Sequence, residues 1–214
     1  MKQLEIDIIS DVVCPWCVIG FSRLQKAIEQ LGNQIDVKIN WHPFELNPSM
    51  SDTGENLRAH LAKKYGTTLE GSIKARKMLT DLGQDVDFQF NYFDEMKMLN
   101  THQCHQLLLW AKGSGKQTQL AMALFELFFT NKSEFTQEQL LEVVTVLRLN
   151  TKEAEHILQT NLFSQEVKRI ENQWRQQGVE AVPAFIFNKQ EILLGAQEVE
   201  TFISVIHSLI QDKE

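Results

Sequence analysis

Cysteine is scarce in this chain, with three among 214 residues. That is too few to staple a protein of this length, so a disulfide scaffold is excluded. No unbroken apolar run reaches the length that spans a bilayer. The opening Met1-Lys2-Gln3-Leu4-Glu5-Ile6-Asp7 alternates polar and apolar residues. It lacks the basic start and continuous apolar stretch of a signal peptide, so a cytoplasmic location is expected. Basic charge is also short: 21 Lys and Arg stand against 28 Asp and Glu, a net charge of −7. Nucleic acid and anionic membranes both reward a basic face, which argues against either as the main partner. Internal repeats, low-complexity tracts and flexible linkers are absent too. What is present, 43% hydrophobic and 23% charged residues, suits a globular chain with a real core. The length fits one large domain or one domain carrying a long insertion.

Two of the three cysteines stand close together in "SDVVCPWCVIG", residues 10–20. Their surroundings read as a βαβ unit. Leu4, Ile6 and Ile8 alternate along a first strand. Val18, Phe21, Leu24, Ala27, Ile28 and Leu31 recur at helical spacing up to Gly32. Ile35, Val37, Ile39 and Trp41 alternate along a second strand, expected to lie parallel to the first with a right-handed crossover. "HPFELNPSMSDTG" (42–54) reads as a loop. From about 55 to 161 most segments are helical. Leu57, Leu61 and Tyr65 share one face, and Ile73, Met78 and Leu82 mark a helix closed by Gly83. Asn100 or Thr101 caps the next, Leu120 to Phe128 form another, Thr136 opens a capping box, and Thr151 caps a short helix. Val86, Phe88, Phe90 and Tyr92 alternate as a strand or as an extended connector packing its aromatics. The C-terminal part returns to mixed structure: a helix through Val167, Ile170 and Trp174, strands at 182–188 and 191–195, and a last amphipathic helix through Phe202 and Leu209. The helical block therefore reads as an insertion on a βαβ/αββα core.

Cys14 and Cys17 lie at the junction of strand and helix. Pro15 fits the first helical turn, where its missing N–H costs nothing. Residues three apart share a helix face, so the two sulfurs can meet. The unpaired N–H groups and the positive dipole end favour a thiolate at Cys14, which makes Cys14 the attacking nucleophile. Cys17, one turn in and shielded, is the resolving thiol. Zinc needs four ligands. His102 and His105 would have to complete the set from far downstream, and no second Cys-x-x-Cys exists, so no metal site is expected. An inert structural pair is rarer in the cytosol. Val182-Pro183 precedes an apolar strand. Proline belongs at a strand's first position or edge, and this X-Pro bond is a candidate cis peptide. A cis turn would let Val182's backbone pair with an extended substrate. Periodicity alone leaves cis and trans open.

These elements together resemble the thioredoxin superfamily, and the helical insertion points to its DsbA branch. "CPWCVIG" (14–20), "WHPFELNPSM" (41–50), "NTHQCHQLLLWAKGSGKQ" (100–117), "GVEAVPAFIF" (178–187) and "LLGAQ" (193–197) are similar to FrnE-like, DsbA-related oxidoreductases. The resemblance covers nearly the whole chain. It implies an α/β thioredoxin-like fold, formed by residues 1–45 and 162–214, with a large all-helical insertion at 46–161. It further implies thiol–disulfide exchange or disulfide isomerisation at Cys14 and Cys17, and a cis-proline at Pro183 beside them. Pro15, Trp16, Val182 and Pro183 are the expected substrate-binding residues. Partners would be protein or small-molecule thiols and disulfides; no cofactor is implied beyond the redox pair, with glutathione a candidate co-substrate and a homodimer left open. Two positions depart from the pattern: Cys104 stands where a small residue such as alanine is usual, and Ala181 where glycine is frequent. Related kappa-class glutathione transferases and hydroxychromene-carboxylate isomerases, which give a glutathione-dependent transferase or isomerase as the alternative, generally place serine where Cys14 stands; a cysteine here, with Cys17 behind it, favours redox exchange. A client-binding, chaperone-like module is a further alternative, although "FELFF" (125–129) reads as buried helix core. The histidine that DsbA itself carries between its cysteines is missing, so strong oxidising power is not implied.

Overall fold

A computed structural model describes residues 2–211. Strand β1 (Lys2–Ser10) buries Leu4, Ile6, Ile8 and Ile9 almost completely. It runs into a tight turn and then helix α1 (Pro15–Leu31), whose Val18, Ile19, Phe21, Leu24 and Ala27 form a fully buried stripe. The Gly32 N–H closes α1 by bonding back to Ile28 O. Strand β2 (Ile35–Pro43) then lies parallel to β1, with Ile6 opposite Ile39, as expected of a βαβ unit.

The stretch that follows is not purely helical. A two-residue strand β3 (Glu55–Asn56) precedes α2 (Leu57–Tyr65) and α3 (Leu69–Asp85). It pairs antiparallel with β4 (Lys97–Met98). Two-residue strands carry no periodicity, which is why an all-helical insertion was expected. Gly83 does not end α3, which continues to Asp85. The residue is buried, and a Cβ there would sit 2.5 Å from Phe88 O and from the Phe90 ring. Glycine is therefore required by a close approach, not by a helix stop. The segment after it alternates in burial without joining a ladder: Val86, Phe88 and Phe90 point inward, and Tyr92 stacks on Phe90 at 5.7 Å.

Helices α4 (His102–Ala111), α5 (Gln117–Phe129), α6 (Gln137–Val146) and α7 (Thr151–Thr160) complete the block. Asn100 Oδ1, rather than Thr101, accepts from His102 N. Asn150, not Thr151, caps α7 by accepting from Glu153 N. Thr136 caps α6 as expected. Phe125, Leu127, Phe128 and Phe129 are buried. Helix α8 (Ser164–Gln176), strands β5 (Ala184–Phe187) and β6 (Glu191–Leu194), and α9 (Val199–Gln211) follow.

The sheet order is β2-β1-β5-β6, with β5 antiparallel to both neighbours. Alternate residues of β2 face opposite sides. Trp41 packs edge-on to Phe21 of α1 at 4.7 Å and near Phe125 of α5, while His42 meets Trp174 of α8 at 5.0 Å. On α1's side, Phe202 of α9 packs on Phe185 at 5.0 Å. Gly20 permits this layer to close, because a Cβ would lie 3.0 Å from the Phe185 ring and 3.2 Å from the Ala196 backbone. The outer edge of β2 is covered by a side chain. Gln117 accepts from Trp41 N at 2.9 Å and donates to Trp41 O at 2.9 Å, as a neighbouring strand would. That amide ties the helical block to the sheet. No helix among the described residues is long and apolar enough to cross a membrane.

Candidate active site

The end of β1 and the start of α1 fix both cysteines. Cys14 is the N-cap residue of α1 in an extended conformation, followed by Pro15 in the first turn. Its N–H bonds to Asp11 O at 3.0 Å, and its own carbonyl accepts from Cys17 N at 3.1 Å. Cys14 is 5% exposed and Cys17 is sealed; both are free thiols. Burial, and behind it the neighbouring Cys14, push the Cys17 thiol well above its ordinary range, opposed in part by the Ser10 hydroxyl and the Asp11 backbone. Cys17 is thus held as the protonated thiol, one helical turn behind Cys14.

The Val182–Pro183 peptide is cis. The Val182 carbonyl lies 3.8 Å from Cys14 Sγ, and Pro183 O accepts from Gly195 N at 2.8 Å, which anchors the turn to the strand β6 end. The Val182 N–H has no hydrogen-bond partner among the described residues. Cys14, Pro15, Trp16 and Val182 line one cleft of about 470 Å³. Trp16 is 38% exposed on its rim, while Pro183 is buried behind it. The opposite wall comes from α2, α3 and the aromatic connector, through residues such as Leu57, Leu79, Arg76 and Tyr92. The six residues singled out from the sequence are therefore brought to one place, four on the cleft and two directly behind it.

Sequence reasoning missed what lies beneath. Asp11 is fully buried; its Oδ2 accepts from Leu46 N at 2.8 Å, and its Oδ1 stands 3.4 Å from His105 Nε2, at ion-pair range without hydrogen-bond alignment. Burial works against a charge on His105, but Asp11, with Glu45 and Glu171 beyond it, overcomes that and raises its pKa. His102 has both ring nitrogens engaged, by Glu45 Oε1 at 2.5 Å and Ser164 Oγ at 2.8 Å. Glu171, on α8, is pushed up by burial and then by Glu45. These histidines belong to a carboxylate–imidazole layer under the Cys14 turn. Among the described residues no group of three or more His, Cys, Asp and Glu is arranged to hold a metal. Cys104 is fully buried, and burial followed by the charge of Asp11 raises its thiol pKa, so it has neither access nor a thiolate. The only local hint of the buried layer was Asp11, inside the motif itself.

The family model for the DSBA-like thioredoxin domain matches residues 5–207. The crystal structure of a probable DsbA oxidoreductase, SCO1869, from Streptomyces coelicolor superposes with a TM-score of 0.92 at 24% identity, covering 99% of this chain and 92% of that one. The cytosolic disulfide reductase DsbM from Pseudomonas aeruginosa, solved with GSH, superposes with a TM-score of 0.65 at 15% identity, covering 97% and 99%. An uncharacterized protein of Bacillus subtilis (strain 168), YwbO, is 24% identical over 209 residues, 95% of this chain and 96% of its own. The chain belongs to the DSBA-like thioredoxin domain family.

Proposed function

We propose that the protein is a thiol–disulfide oxidoreductase or disulfide isomerase in which Cys14 attacks and Cys17 resolves. The observation that carries this reading is the asymmetry of the pair. Cys14 lines the cleft at the N-cap of α1, where a substrate sulfur can meet it. Cys17 is sealed behind it with a raised pKa. The cycle is two exchanges. Cys14 Sγ attacks one sulfur of a substrate disulfide and expels the other as a thiolate, giving a mixed disulfide. Cys17 then attacks Cys14 Sγ, releases the second substrate thiol and leaves a Cys14–Cys17 disulfide. In reverse, the oxidised pair accepts a substrate thiolate. The Val182 backbone, with its carbonyl 3.8 Å from the sulfur and its N–H unpaired among the described residues, is suited to hold an extended substrate as a strand edge would. Trp16 and Pro15 shape the entrance.

Cys14→Ser is expected to abolish reduction of insulin disulfides and reactivation of a scrambled protein substrate. Cys17→Ser is expected to accumulate mixed disulfides visible by mass spectrometry. Full activity in Cys14→Ser would sink the assignment. A glutathione-dependent reaction is a second reading, favoured by the cleft beside Cys14 and by the GSH bound to the structurally similar DsbM. It predicts activity with glutathione that survives Cys17→Ser, since the resolving thiol would then come from glutathione.

A further inference from the structure

The cleft beside Cys14 carries an excess of positive charge in a chain whose net charge is −7. Arg76, on α3, is largely buried, with 12% of its side chain exposed. Its Nη1 donates to Phe93 O at 3.0 Å. The carboxylate it faces, Asp94, stands 3.8 Å away and is bonded more closely to Arg58, at 2.8 Å. Two guanidiniums therefore share one carboxylate that is itself 73% exposed and screened by water. The Nε and Nη2 groups of Arg76 are buried with no hydrogen-bond partner among the described residues, and so is the Tyr92 hydroxyl. The guanidinium carbon lies 5.5 Å from the centre of the Tyr92 ring, so the two side chains form one corner of the cleft that Cys14 also lines. Lys64, on the rim, bonds only neutral oxygens, Leu46 O at 2.9 Å and Asn47 Oδ1 at 2.7 Å. His60 is engaged by Glu55 and Asn47. Glu180 is the lining carboxylate, and it sits on the Val182 side.

Buried donors without partners cost free energy, and native structures rarely keep them without a use. A guanidinium with unpaired N–H groups and a phenol with an unpaired hydroxyl, both on one cleft, are donors suited to a carboxylate. We propose that the cleft selects small-molecule disulfides carrying a carboxylate a few atoms from the sulfur, the carboxylate being drawn to the Arg76–Tyr92 corner while the disulfide meets Cys14. This rests on the redox reading of Cys14 and Cys17 and adds its substrate class. The cleft volume, about 470 Å³, is within the range of small-molecule sites. Arg76 and Tyr92 act as specificity residues and take no part in bond making.

The test uses three disulfides that differ only in the end group: dithiodipropionate (anionic), hydroxyethyl disulfide (neutral) and cystamine (cationic). Fully reduced protein is mixed with each in single turnover, so that one protein dithiol and one disulfide give one protein disulfide and two small thiols, with no other reductant. Loss of protein thiols is followed by alkylation and mass spectrometry. Each rate is divided by that of a free small thiol attacking the same disulfide. The normalised preference for the anionic over the neutral disulfide is expected to be roughly tenfold, the value of one charge-assisted contact, and to shrink as salt is added. It should collapse in Arg76→Gln, survive in Arg76→Lys and weaken in Tyr92→Phe. A ratio within one variant is insensitive to a general loss of activity. If Arg76→Gln does not fold, the salt titration of the unaltered protein and Tyr92→Phe decide the matter. Equal normalised rates for all three disulfides, or a preference for cystamine, would overturn the selectivity and leave the redox reading standing. Failure to consume any of the three would overturn both.

Discussion

The two walls of the cleft are built differently. On one side, Cys14 and Cys17 sit on a helix whose Val18, Ile19 and Phe21 are fully buried, facing strand residues Phe185 and Phe187 that are equally sealed. On the other, α2 and α3 leave Tyr65, Leu69, Ile73 and Met78 in solvent and bury only a few side chains, Leu57 and Leu79 among them. The first wall is part of the close-packed core, where side-chain positions are over-determined. The second has fewer buried contacts per residue, the condition under which elements open and adjust at low cost. The proposed division of labour follows this difference: sulfur chemistry on the rigid wall, recognition on the adaptable one. Damage to the rigid wall should cost more stability than damage to the other, and this ordering can be broken by experiment.

The largest stability effect is expected at the buried layer under the Cys14 turn. Asp11→Asn removes the charge that His105 faces, and breaking a buried pair of this kind costs about 3 kcal/mol. The cost should depend on pH with a definite sign. The pKa of His105 is raised in the folded protein, so its contribution is complete below the unfolded value near 6.5 and fades as pH rises through the folded value. Urea titrations should therefore show the gap between Asp11→Asn and the unaltered protein widest at pH 6 and narrowing toward alkaline pH. A gap that widened with pH would mean that His105 is neutral in the fold. Glu45 and Glu171 also face this imidazole, so their Gln variants should reproduce part of the slope.

A smaller effect is expected at Gly83, where the aromatic connector packs back against α3. A methyl group at this position collides with a backbone oxygen and with the Phe90 ring, so the connector must move. Gly83→Ala should cost ~1–3 kcal/mol, the usual range for overpacking. Because Tyr92 stacks on Phe90, the same shift should disturb the Arg76–Tyr92 corner while leaving the Cys14 turn in place. The thermal midpoint measures the first effect, and the ratio of anionic to neutral disulfide rates measures the second. An unchanged midpoint would show that the second wall is looser than its buried glycine suggests.

What could be read in the sequence follows the same division. Strands β1 and β2 and helix α1 were legible because their burial is periodic and local, and Cys14 with Cys17 because four consecutive residues hold the chemistry. Gly83 looked like a helix stop because a glycine near a helix end usually is one; its reason is a tertiary contact invisible in one dimension. Asn150 and Thr151 are adjacent residues that can both cap a helix, so local rules locate the cap only to within one position. The Asp11–His105 and Arg76–Tyr92 pairs join residues from different elements, and no spacing rule links them. The first wall is thus legible where chain neighbours make the site, and the second is not, because its polar groups meet only after folding.

The smallest effect belongs to the outer face of the second wall. Leu69 and Ile73, one helical turn apart, are 60% and 54% exposed. Replacing both with serine removes apolar area that folding does not bury, so each substitution should change stability by no more than about 0.5 kcal/mol. Thermal unfolding of the double variant, repeated over a wide range of protein concentration, checks this. A midpoint that stays put at every concentration means the face is solvent-exposed and the comparison between the walls stands as drawn. A drop of several degrees that grows at high concentration would mean that a second copy of the chain covers α3. The second wall would then owe its order to association, and its adaptability would have to be judged in the dimer.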